Sequence, residues 1–274
     1  MSFLRPFRRS HLVLFIVLAL FLVSCITNPV TGRRQLILIP SSEMLSMSFS
    51  QYGQFLKENK LSGNRQAAAM VRRVGQRIQV AVEQYAKEKG WDDRLAGYQW
   101  EYNLVESKDV NAWCMPGGKV VFYTGILPLT KDEDGMAVVM GHEIAHAIAE
   151  HGNERMSHGL LVNLGGAALQ EALKNEPQAT QQLWTTAFGA GAQFGVLLPF
   201  SRSHESEADR MGLIFMAMAG YDPREAVEFW TRMAAAGGQK PPEFMSTHPS
   251  DQRRIDDIKR LLPEALPYYR RDNY

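Results

Sequence analysis

His142 and His146 stand four residues apart in the run His142-Glu143-Ile144-Ala145-His146. On a helix that spacing puts both imidazoles on one face, aimed at one point. Neutral imidazole is a good zinc donor, and two on one rigid turn are already oriented. Glu143 lies about 100° round the helix from His142. From there its carboxylate reaches a water at the metal without binding the metal, which suits hydrolysis by an activated water. Two buried histidines with only each other for company would repel once protonated, so a bare hydrogen-bonded pair explains the pattern less well.

A catalytic zinc takes three protein ligands and keeps one position open. One class of zinc proteases has a third His ten residues after the first, but here that position is Gly152. His151, on an unbroken helix, falls on the side away from His146. The other source is a carboxylate on a later helix, and the run from Ser201 to Asp209 offers two. Glu205 and Asp209 share a face with Ala208, Gly212, Met216 and Ala219, which allows a close approach to the first helix. From that face Asp209 can accept a hydrogen bond from the back nitrogen of a ligand histidine. Glu207 points about 200° away, toward Met211, Ile214 and Met218. Both faces carry apolar residues, so spacing leaves Glu205 and Glu207 open and favours Glu205.

These groups need a scaffold. The two His share a wheel face with Val138, Val139, Ala145 and Ala149, so the helix expected over Asp132–His151 should be buried. Ser41 or Ser42 can cap a helix running to about Asn59. Ala67, Val71, Val74, Ile78, Ala81, Val82 and Tyr85 recur at helical spacing. Tyr98, Trp100, Tyr102 and Leu104 alternate with polar residues as a strand does. Pro116-Gly117-Gly118 marks a turn, and Lys119–Tyr123 reads as a second strand. Helices then follow at about 157–197, 203–219, 222–236 and from about Pro249. The architecture read from this pattern is α+β and mostly helical. No apolar run in 159–200 reaches the ~18 residues of a membrane span.

Taken together, these segments resemble the M48 family of zinc metallopeptidases. The likeness rests on HEIAH, on SRSHESEADRMG with its E-x-x-x-D spacing, on NAWCMPGGKVVFYTGIL upstream and on THPS near the end. It covers roughly residues 95–255. It implies a zincin-type metalloprotease domain with a small β-sheet beside the active-site helix, and one Zn2+ per chain. It also implies Glu205 as third ligand, Asp209 behind the ligands and Glu143 as acid–base. Trp113-Cys114-Met115 is bulkier than the small residues expected after Asn111-Ala112, which bears on side-chain specificity. Around Asn111 and Ala112 a strand edge is expected to bind an extended substrate backbone. Cys114 shows no pairing with a histidine and reads as a packed thiol. His248 precedes Pro249 at a helix N-terminus. It is a candidate donor to the tetrahedral oxyanion, and the same place would let it fill the metal's open position.

The N-terminus reads as an address. Residues 1–24 carry Arg5, Arg8 and Arg9 and no acid, and the apolar run Leu12–Val23 spans roughly 18 Å, short of the ~30 Å bilayer core. Leu22-Val23-Ser24-Cys25 resembles a bacterial lipobox, so 1–24 is expected to be a lipoprotein signal peptide with Cys25 lipidated. Ile26 after that cysteine points to the outer membrane, facing the periplasm. Residues 25–40 are expected as a tether, 41–262 as the peptidase domain and 263–274 as a tail. Lys plus Arg is 30 and Asp plus Glu 29, a net charge of +1, with no basic excess for nucleic acid. Sequence-tolerant main-chain pairing suits unfolded or misassembled envelope proteins as substrates. The competing reading is a zinc-stabilised envelope binding factor or chaperone whose proteolysis is latent or minor.

Overall fold

The computed structural model describes residues 25–174, 198–236 and 252–269, with isolated positions between them that include Phe244 and His248. The expected signal peptide, residues 1–24, lies outside the described residues, as does most of 175–197. Among the described residues, no helix is long and apolar enough to cross a membrane.

A three-stranded sheet is built from β3 (Glu101–Val105), β4 (Ala112–Met115) and β5 (Lys119–Tyr123), in the order β3-β5-β4. β3 pairs parallel to β5, and β4 pairs antiparallel to it with Trp113 opposite Val121. The turn between β4 and β5 uses Gly117 and Gly118 at φ of 86° and 80°, a left-handed conformation that glycine adopts at little cost. The outer side of β3 is covered by residues 60–62, through Ser62 N to Leu104 O and Glu106 N to Lys60 O. Among the described residues, β4 has no strand on its other side.

Two helices precede the sheet, α1 (Ser41–Glu58) and α2 (Arg65–Lys89). Pro40, not a serine, occupies the N-cap of α1, and no side chain caps it. Asn64 caps α2 by accepting from Ala67 N, and Gly90 ends it in the left-handed conformation. All seven α2 positions expected inside are buried. The central helix α3 (Glu133–Ile148) starts from Asp132, whose side chain accepts from Gly135 N, with Glu133 and Asp134 favourably placed in the first turn. Almost every α3 residue is buried, as its apolar character all round requires. It lies between α2, β4 and the later helices α5 (Leu198–Met218) and α6 (Glu225–Ala236). Helix α4 (His151–Leu173) follows α3, and α7 (Gln252–Ala265) closes the core. Gly141 of α3 and Gly212 of α5 face each other so closely that a Cβ on Gly212 would sit 2.8 Å from His142 N.

Two boundary expectations are corrected. Residues 25–40 are not a free tether. β1 (Cys25–Thr27) and β2 (Arg34–Leu36) pair as an antiparallel hairpin, and Asn28, Gln35 and Ile37 are buried. Polar side chains with partners hold it: Asn28 Oδ1 accepts from Val30 N, and Gln35 Nε2 donates to Ala149 O. The tail also begins later than residue 263. α7 continues through Pro263 to a buried Ala265, and Tyr268 packs edge-on against Tyr85.

Candidate metal centre

α3 presents His142 and His146 side by side, with their Nε2 atoms 3.1 Å apart. α5 brings Glu205 to both: Oε2 lies 3.3 Å from His142 Nε2, and Oε1 lies 3.3 Å from His146 Nε2. His248 enters from the segment before α7. Its Nδ1 is 3.1 Å from His142 Nε2 and 2.9 Å from Glu205 Oε2. One donor atom from each of these four residues falls within 4.8 Å of the other three. Three imidazole nitrogens and a carboxylate oxygen form a donor set suited to zinc. Beside them Glu143 is buried, and its Oε1 makes no hydrogen bond although His248 Nε2 is 3.3 Å away. A buried carboxylate oxygen left over next to four convergent donors fits a site made to hold an ion and a water.

Behind this focus each α3 histidine is held by its other nitrogen. Asp209 Oδ1 is 2.9 Å from His142 Nδ1. Asp209 is itself clamped by Arg254, whose Nε and Nη2 lie 2.9 and 2.7 Å from its two oxygens. Arg254 also sets Nη1 3.0 Å from Glu205 Oε2 and lies over the Trp230 ring at 3.5 Å. On the other side His146 Nδ1 meets His151 Nδ1 at 2.8 Å, and His151 Nε2 meets Glu207 Oε2 at 2.9 Å. The sequence expectation had His151 turned away from His146, on a continuous helix. The chain breaks instead: α3 ends at Ile148, Glu150 adopts a left-handed conformation at φ 53°, and α4 restarts at His151. That break swings the ring back against His146. Glu207 faces away from the four convergent donor atoms, yet it backs the same cluster through His151.

The electrostatics follow the packing. Burial alone would lower His142, but hydrogen bonds to Asp209 and Glu205 outweigh it and push the group up to about 9. Burial drives His146 well below its ordinary value, and the charge of neighbouring His142 adds to the effect. Burial, with His204 adding to it, also keeps His151 uncharged. Burial would raise Glu205, but the rings of His142, His146 and His248 around it hold it far below the usual carboxylate range. Burial raises Glu143, which suits a base working nearer neutrality than a free carboxylate. Cys114 is likewise raised by burial and carries no thiolate character.

Asn111 and Ala112 stand at the start of β4, outside the donor cluster. Asn111 Oδ1 accepts from Ala112 N, and Asn111 O accepts from Tyr123 N. This pairing turns the main-chain groups of Ala112 and Cys114 to the strand's free side. Trp113 packs on Tyr52 and Phe55 of α1. Arg254, Arg33, Glu154 and His204 were not singled out from the sequence. An arginine in register with Ile255 and Ile258 on the inner face of α7 was the legible sign for Arg254.

A mostly helical domain with a short sheet beside a His-Glu-x-x-His helix defines a zincin-type metallopeptidase architecture. Residues 73–262 match Peptidase family M48, and the chain belongs to that family of zinc-dependent peptidases. It is similar to the mitochondrial metalloendopeptidase OMA1 of Schizosaccharomyces pombe, 40% identical over 173 residues, covering 62% of this chain and 49% of the relative. The human mitochondrial metalloendopeptidase OMA1 is 30% identical over 246 residues, covering 87% of this chain and 46% of the relative. A beta-barrel assembly-enhancing protease of Yersinia pestis is 29% identical over 177 residues, covering 62% and 35%. The chain thus spans about half the length of the mitochondrial relatives it matches and about a third of the bacterial one.

Proposed function

We propose that the chain is a zinc-dependent endopeptidase of the cell envelope that hydrolyses unfolded or misassembled proteins. The observation that carries this reading is the convergence of His142, His146 and Glu205 beside a buried Glu143 oxygen that makes no hydrogen bond. His142, His146 and Glu205 would hold the ion. When bound there, zinc supplies Lewis acidity, polarising a carbonyl oxygen and easing the loss of a proton from water. Glu143 takes the proton of the attacking water and passes it to the leaving amine. Asp209 keeps the His142 Nδ1 proton in place, which leaves Nε2 as the donor atom. The free side of β4, from Asn111 and Ala112 onward, aligns an extended substrate backbone. The purified chain is expected to cleave casein and to lose that activity with a chelator. Glu143→Gln is expected to keep zinc at one per chain and lose at least 100-fold in rate. A Glu143→Gln protein as fast as its parent would refute the assignment.

His248 favours a second element, latency. Its ring completes the donor set and stands 3.3 Å from Glu143, so it competes with water and substrate for the open position. Swung out, it becomes free to donate to the oxyanion. His248→Ala raises activity if blocking dominates and lowers it if donation does; an unchanged rate and zinc affinity would dismiss both. Latency also keeps the chaperone-like reading in play. Rescue of an envelope-stress defect by Glu143→Gln would favour it.

For location, we propose that residues 1–24 act as a signal peptide, that Cys25 carries lipid and that the peptidase faces the periplasm from the outer membrane. The lipobox-like run supports this, as does similarity to a relative named for beta-barrel assembly. Metabolic labelling with a fatty acid, lost in Cys25→Ser, tests it.

A further inference from the structure

The N-terminal hairpin reaches the back of the metal centre through one arginine. Arg33 sits on the loop between β1 and β2, and its Nε lies 2.7 Å from Glu207 Oε2. Thr31 Oγ1 donates to the other oxygen of that carboxylate. The rest of the guanidinium grips Glu154 of α4 in a fork, with Nη1 at 2.9 Å and Nη2 at 2.7 Å. Arg33 therefore ties α5 to α4 beside the break at Glu150, where His151 turns back toward His146. Glu154, Glu207 and His151 are buried, and their partners within the protein take the place of solvent.

The order of donors along this line has a chemical consequence. Glu207 is the terminal acceptor, so the proton of His151 lies on Nε2. His151 Nδ1 is then an acceptor and requires the proton of His146 on Nδ1, 2.8 Å away. His146 Nε2 is left as a bare lone pair, directed at Glu205 and His142. Asp209 holds the Nδ1 proton of His142 in one step. A side chain on the hairpin thus settles which nitrogen of His146 is available.

We propose that Arg33 is a positioning residue that acts through Glu207 and His151 to fix the tautomer and ring plane of His146, making the hairpin after Cys25 a working part of the metal centre. The inference rests on the metal-centre reading above. It differs from that reading in needing residues that touch neither the ion nor substrate.

The test is zinc affinity of the metal-free full chain, by competition with a chelating dye, together with the visible spectrum after cobalt(II) is added in place of zinc. His151→Phe keeps the bulk but removes the acceptor for His146. It is expected to weaken zinc binding about 10- to 100-fold and to shift the cobalt bands, with the far-ultraviolet circular dichroism unchanged. Arg33→Lys supplies one ammonium that cannot span both carboxylates, and it should weaken binding in the same direction by less. Folded variants that bind zinc within twofold of the parent, with the parent cobalt spectrum, would overturn the proposal. If His151→Phe does not fold, Arg33→Lys decides by the same two readouts. Glu205→Ala separates the layers. If it too leaves affinity unchanged, the metal-centre reading fails. If it abolishes binding while the Arg33 and His151 variants do not, only the relay fails.

Discussion

Gly212→Ala tests how closely α3 and α5 must approach. The new Cβ would stand 2.8 Å from His142 N, 2.9 Å from Gly141 C and 3.1 Å from Gly141 O. Ordinary contact begins near 3.4 Å, so the shortfall is 3.4 − 2.8 = 0.6 Å. All three atoms are backbone of α3, so no side chain can turn aside; α3 and α5 must separate. Overpacking of this kind costs roughly 1–3 kcal/mol, against which alanine regains up to about 1 kcal/mol of helix propensity. The control is Gly53→Ala inside α1, where a Cβ meets nothing within 4 Å. It should stabilise by about 0.5–1 kcal/mol. Urea unfolding of the metal-free proteins should therefore separate the two variants by about 1–3 kcal/mol, Gly212→Ala being the weaker. Zinc affinity should fall as well, since the separation moves Glu205 off His142, now 3.3 Å away. If Gly212→Ala were as stabilising as Gly53→Ala and bound zinc like the parent, the close-approach argument would be wrong.

Other expectations are as direct. Arg254→Met strands Asp209 and Glu205 without their shared cation, and urea unfolding should show a loss of roughly 3–5 kcal/mol. Burial would raise Glu154, but hydrogen bonds from His204 and Arg33 hold it below the usual carboxylate range. A carboxylate lowered on folding stabilises fully above its unfolded value of 4.5, and that contribution drains away as pH falls below it. Glu154→Gln should therefore flatten the acid limb of a plot of urea midpoint against pH, whereas an equally steep limb would remove Glu154 from that role. Zinc at a hundred times its dissociation constant adds about 2.7 kcal/mol, so a chelator should lower the melting temperature of the loaded protein.

Much of this site was legible because it is local. The spacing of His142, Glu143 and His146 fixes their geometry once the segment is helical, and Asp132 supplies the cap that starts the helix. The α2 pattern and the span of β5 follow from periodicity alone. What escaped depended on departures from regularity or on distant partners. A left-handed Glu150 has no strong signature, since glutamate is not a favoured residue there, and it reverses the inference about His151. Glu205 and Glu207 both lie on faces with apolar neighbours, and only the packing of α5 against α3 decides which one meets His142 and His146. Arg33 lay in a Pro- and Gly-containing stretch that reads as a linker. Its partners are 121 and 174 residues further along the chain.

If Cys25 carries lipid, the folded hairpin would also limit where the enzyme could cut. A free strand from residue 25 to 40 would be a leash of up to roughly 55 Å, letting the metal centre sweep a wide zone above a bilayer. With Cys25 opposite Leu36 and Arg33 locked into the back of the active centre, that slack is gone. A lipid on Cys25 would then hold the metal centre at a fixed height over the lipid headgroups. Only polypeptide at that surface would then come within range, and proximity would do the selecting that side-chain pockets do elsewhere.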